Sequence, residues 1–126
     1  MDLLLNRGEI LPIKGRNVTV TTADVEWLPR MRSYLIGVAT TGGTATYGSM
    51  KADLGIPHAI NGLGRLLDLL SEDCLRRDEP SLASLVVSST TGEVGPSYSG
   101  NAPSERTLVY KHWRGPRFSW EPIDSR

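Results

Sequence analysis

A chain of 126 residues, 39% hydrophobic and 22% charged, has the size of one compact domain that buries a core without metals or disulfides. Basic and acidic side chains number 14 each and cancel, so no global field draws the protein to a polyanion and any nucleic-acid surface must be a local patch. The lone Cys74 excludes an intramolecular disulfide, and the apolar runs are too short for a membrane span, so a cytoplasmic address is expected.

In chain order, "EILPIKGRNVTVTT" (9–22) sets apolar residues on both sides of a Lys14-Gly15-Arg16-Asn17 turn signal, with Val18 and Val20 alternating with threonines. That pattern predicts an N-terminal hairpin. Thr22 or Asp24 can then cap a helix running to about Thr40, because Val25, Leu28, Leu35 and Val38 recur near every 3.6 residues. Pro29 either kinks this helix or begins it. Thr46 offers a hydroxyl cap to a short second helix over Tyr47 to Leu54, closed by Gly55. Pro57 starts a third, whose Ile60, Leu63, Leu67 and Leu70 make one inward stripe while His58, Asn61, Arg65 and Asp68 occupy other faces.

Beyond Glu79-Pro80-Ser81, "LASLVVSS" (82–89) reads as a buried strand, "TTGEVGPSYSG" (90–100) as turn-rich, and "TLVYKHW" (107–113) as a returning strand. The tail from Arg114 holds Pro116 and Pro122 without a period and is expected to be an extended arm. Charge is uneven along the chain. Residues 106–119 carry Arg106, Lys111, Arg114 and Arg117 and no acid, while residues 68–79 hold five acids against Arg76 and Arg77.

Helices in this order, a tight Gly-Ile-Pro turn, a strand, a glycine-rich turn and another strand predict an α+β winged helix-turn-helix, with three helices and a β wing. In such a fold the third helix enters the major groove and the wing follows the phosphate backbone. His58, Asn61, Gly62 and Arg65 would then face base edges, Asn for adenine and Arg for guanine. Lys51 would sit near phosphates, and Arg106, Lys111, Arg114 and Arg117, interleaved with Tyr110, Trp113, Phe118 and Trp120, would form either a backbone-binding arm or an edge strand and arm pinned by the aromatics, with the charges solvated or paired to the acidic helix end.

Thr46-Tyr47-Gly48, Leu54-Gly55, Asn61-Gly62-Leu63-Gly64 and Val86-Val87 followed by "STTGEVGPSY" together resemble the DNA-binding domain of alkylguanine-DNA alkyltransferases and alkyltransferase-like proteins. The resemblance covers roughly residues 25–100 and implies that Tyr47 handles a backbone phosphate, whereas a tyrosine at a helix start is equally a half-buried core residue with a wet hydroxyl. It also puts Ala83 where the family's alkyl-accepting cysteine belongs, Ser84 where its histidine belongs, and Asn61 where its base-replacing arginine belongs. Alkyl transfer at that position is therefore not expected.

Other chemistry has little footing in the residues. Cys74 is flanked by Glu72, Asp73 and Asp78, which disfavour a thiolate. Two histidines, His58 and His112, are too few for a typical zinc site, and Gly92 and Gly95 lack the lysine and helix of a phosphate-binding loop. The expectation is a non-enzymatic protein of one domain, without cofactor or metal, made of a hairpin (9–22), helices and wing (23–113) and an arm (114–126). Its expected partner is double-stranded DNA in a regulatory role. The alternative is a module that grips a protein with the same surface, as a phage- or mobile-element-encoded inhibitor would, and pairing of two copies is open in either case.

Overall fold

The computed structural model describes residues 4–57, 63–89, 94 and 102–114. Among them the fold is α+β. Strands β1 (Ile10–Ile13) and β2 (Arg16–Thr19) form an antiparallel hairpin with Ile13 opposite Arg16, as the turn signal predicts. Helix α1 (Thr22–Thr41) leads to a short β3 (Ala45–Thr46), then α2 (Tyr47–Leu54) and α3 (Leu63–Arg76). A single 3-10 turn at Leu82–Leu85 opens into β4 (Val86–Val87), and α4 spans Ala102–Arg114.

Helix α1 is the centre of the molecule, packing against α2, α3, α4 and the 3-10 turn. Its cap is Thr21, one residue before the expected pair. The Thr21 hydroxyl accepts from the Asp24 amide at 3.2 Å and the Asp24 carboxylate accepts from the Thr21 amide at 2.8 Å, which satisfies two otherwise orphaned donors. Gly42 ends the helix in the left-handed region at φ 75°, and a Cβ there would collide with the Arg114 guanidinium.

Pro29 lies inside α1 without ending it. Its ring removes the hydrogen bond to the Val25 carbonyl, and because Val25 is on the exposed side of the helix, water can take over that acceptor. Leu28, Met31, Leu35 and Ala39 make the inward face, joined by Leu63, Leu66, Leu67, Leu69 and Leu70 from α3 and by Leu82, Leu85, Val86 and Val109. The inward leucines of α3 match the expected stripe from Leu63 onward; Ile60 and the expected start at Pro57 adjoin or fall in residues 58–62, outside the described residues.

Two expectations about the second half are corrected. Residues 107–113 are not a returning strand but most of α4. Thr, Val, Tyr and Trp favour strands locally, yet Ala102, Val109 and Trp113 fall on one helical face and pack on the core, and that burial overrides propensity. Glu105 in the first turn and Lys111, His112 and Arg114 in the last complement the helix dipole.

Leu82–Leu85 is a 3-10 turn, and only Val86–Val87 is extended, pairing in parallel with β3 so that Ala45 meets Val86 and Thr46 meets Val87. The sheet partner of β4 is thus the strand before α2, and the second wing strand expected at 107–113 is absent. The expected wing tip, Thr90 to Ser97, lies outside the described residues except for Val94, as does the arm beyond Arg114.

Candidate nucleic-acid interface

Helix α2 owes its short length to strong stops at both ends. The Thr46 hydroxyl accepts from the Ser49 amide and the Ser49 hydroxyl from the Thr46 amide, both at 3.0 Å. Gly55 closes the helix at φ 69°, and the Ile56 amide donates back to the Lys51 carbonyl at 3.0 Å. Met50 is the buried anchor, whereas Gly48, Ser49, Ala52 and Asp53 are exposed. Tyr34 on α1 donates its hydroxyl to Asp53 at 2.7 Å and so ties the outer side of α2 to the central helix.

Lys51, expected near phosphates, donates its Nζ to the Ile56 carbonyl at 2.8 Å and so reinforces the stop of its own helix. Tyr47 is half-buried and packs against the core. Its ring lines a groove of about 370 Å³ that also takes in Ala83, Ser81, Ser71, Asp68 and Glu105. Of the four positions singled out by the family resemblance, Tyr47 and Ala83 share this groove, Ser84 is buried and Asn61 lies outside the described residues. The lining of the groove carries Asp68, Glu72 and Glu105 together with Lys14, which pairs with Asp68.

Arg65, expected to face base edges, has partners within the chain. Its guanidinium forks the Asp24 carboxylate at 2.7 and 2.8 Å and donates to the Thr19 carbonyl at 2.7 Å. Asp24 is only 1% exposed. Burial alone would raise its pKa, but hydrogen bonds from Arg65 and Thr21 outweigh that and hold the carboxyl below its ordinary value. Arg65 is thus a strut joining α3, the start of α1 and the end of β2.

The basic residues of α4 divide in a similar way. Arg106 donates Nε to the Ser84 carbonyl at 2.7 Å, pinning α4 to the 3-10 turn, and Arg114 lies over Gly42 at the end of α1. Lys111 is exposed, in a groove shared with Leu108, Leu75 and His112. His58, Asn61, Gly62 and Arg117 lie outside the described residues.

The structure adds Arg16 and Asn17, which the sequence reading assigned to a turn and nothing more. They are exposed on the hairpin and line a cleft with Gly64, Arg65 and Asp68 of α3. Only the hairpin's docking on α3, set by contacts remote in sequence, brings them there. Among the described residues no group of His, Cys, Asp and Glu is arranged to hold a metal, and no helix is long and apolar enough to cross a membrane. Comparison with protein-family models, curated proteins and solved structures finds no match to this chain.

Proposed function

We propose that the protein is a non-catalytic, winged-helix-like DNA-binding protein that meets duplex DNA with α2 and the start of α3. The observation carrying this reading is the helix, stop and helix unit: α2 doubly capped, a left-handed Gly55, and α3 beginning at Leu63 with its leucine face sunk in the core. A rigid pair of this kind supports base reading because one helix braces the next at the groove. The exposed Gly48, Ser49 and Ala52 suit close approach to a backbone, and His58 and Asn61 are the residue types expected to make base-edge contacts.

In this reading Arg65, Lys51 and Arg106 brace the scaffold, since each commits a donor to an acceptor inside the molecule. The test is fluorescence anisotropy of the whole chain against a pool of duplexes at low salt. Binding is expected, with affinity falling as salt rises, and Asn61→Ala combined with His58→Ala should weaken it at least tenfold while leaving the melting temperature unchanged. No binding to any duplex in the pool would sink the reading.

A protein-binding role is favoured by one specific observation. Leu75 and Leu108 are 71% and 52% exposed and share a groove with Pro80. If the duplex pool gives no binding while a defined polypeptide is held by the wild type and released by Leu75→Ser with Leu108→Ser, this second reading takes its place.

A further inference from the structure

We infer that the β1–β2 hairpin is a second DNA contact, in which Arg16, the first residue of β2, grips a backbone phosphate beside the start of α3; this rests on the duplex-binding reading above. The turn is built to hold its shape. Lys14 at φ 53° and Gly15 at φ 78° are the left-handed pair that connects two antiparallel strands with the correct twist, and Ile13 faces Arg16 directly. The hairpin is then fastened to α3 twice, by Lys14 Nζ to Asp68 at 2.9 Å and by Arg65 to the Thr19 carbonyl at 2.7 Å.

Between hairpin and helix lies a cleft of about 540 Å³ whose polar lining includes Lys14, Arg16, Asn17, Arg65 and Asp68. Asp68 is already neutralised by Lys14, and Arg65 by Asp24 from behind, so the cleft keeps a positive balance through Arg16. Arg16 is exposed and has no ion-pair partner among the described residues. That sets it apart from Arg32, Arg65, Arg76 and Arg77, each of which holds a carboxylate of this same chain.

A planar guanidinium without an ion-pair partner among the described residues matches a phosphate oxygen pair. The cleft opens at Gly64 and Arg65, within the first turn of α3, so the same duplex that fills the reading face would run its backbone past the hairpin. Contacts of this kind position a protein without reading sequence.

The test is the salt dependence of duplex binding by the intact chain, comparing wild type, Arg16→Ala, Arg16→Lys and Asn61→Ala. Arg16→Ala is expected to weaken binding equally for every duplex sequence and to flatten the plot of log affinity against log salt by about 0.9, one phosphate contact. Arg16→Lys should keep the wild-type slope. An Arg16→Ala slope and affinity equal to wild type, with Asn61→Ala impaired, overturns the hairpin contact and leaves the duplex reading standing. Absence of salt-dependent binding by the wild type overturns both.

Discussion

Replacing Arg32 with methionine should lower the free energy of unfolding by about 3–5 kcal/mol, a large part of the roughly 5–15 kcal/mol that holds a domain of this size together. Arg32 is 2% exposed and forks the Glu79 carboxylate at 2.7 and 3.1 Å, with the Trp113 ring 5.4 Å from its guanidinium carbon. Burial disfavours the guanidinium charge, and the pairing with Glu79 more than restores it, so its pKa is raised. Without the arginine, Glu79 keeps, among the described residues, a distant ion-pair neighbour in His112 at 3.9 Å, and a partly buried carboxylate loses its main compensation. The double variant Arg32→Met with Glu79→Leu removes both charges and should regain much of the loss. Urea unfolding of the three proteins measures this directly. A single-variant loss below about 1 kcal/mol would show that the pair does not clamp α1 to the end of α3.

Arg65→Ala should cost about 2–3 kcal/mol near pH 7, less than a fully buried pair because the guanidinium is 40% exposed. The loss should also depend on pH with a definite sign. In the wild type the folded Asp24 pKa lies below the unfolded one, so its stabilisation is complete above the ordinary carboxylate range and disappears as pH falls through the lowered folded value. In Arg65→Ala burial dominates instead and pushes the same carboxyl upward, which makes ionised Asp24 a penalty at neutral pH. The gap between the two proteins should therefore be widest near neutrality and narrow as pH drops below about 4. Unfolding free energies measured from neutral to acid pH check this, and a gap independent of pH would contradict the pairing of Arg65 with Asp24.

Local signals carried the sequence reading furthest. The hairpin signalled by Lys14-Gly15-Arg16-Asn17, the Thr46 cap with Gly55, and the leucine spacing of α3 each depend on neighbours within one or two turns, and each is found, with the turn itself confined to Lys14-Gly15 and Arg16-Asn17 opening β2. Helix α4 was misread because Thr107, Val109, Tyr110 and Trp113 favour a strand when taken alone, and only the core they pack against makes the helical spacing decisive. The role of Arg65 was hidden for a different reason. Its partner Asp24 is 41 positions away, just as Glu79 is 47 from Arg32, and no spacing rule links residues that the fold alone brings together. The same remoteness concealed Arg16 and Asn17, whose position beside α3 follows from the docking of the whole hairpin.

DNA contact by α2 and the start of α3 is tested most directly by titrating the intact chain with a duplex while following its backbone amide NMR signals. Binding at the reading face should move the signals of residues 47–53 and 57–64, together with Arg16 and Asn17, and leave those around Leu75 and Leu108 in place. No movement with duplex in excess, or movement confined to the Leu75 and Leu108 groove, would contradict it.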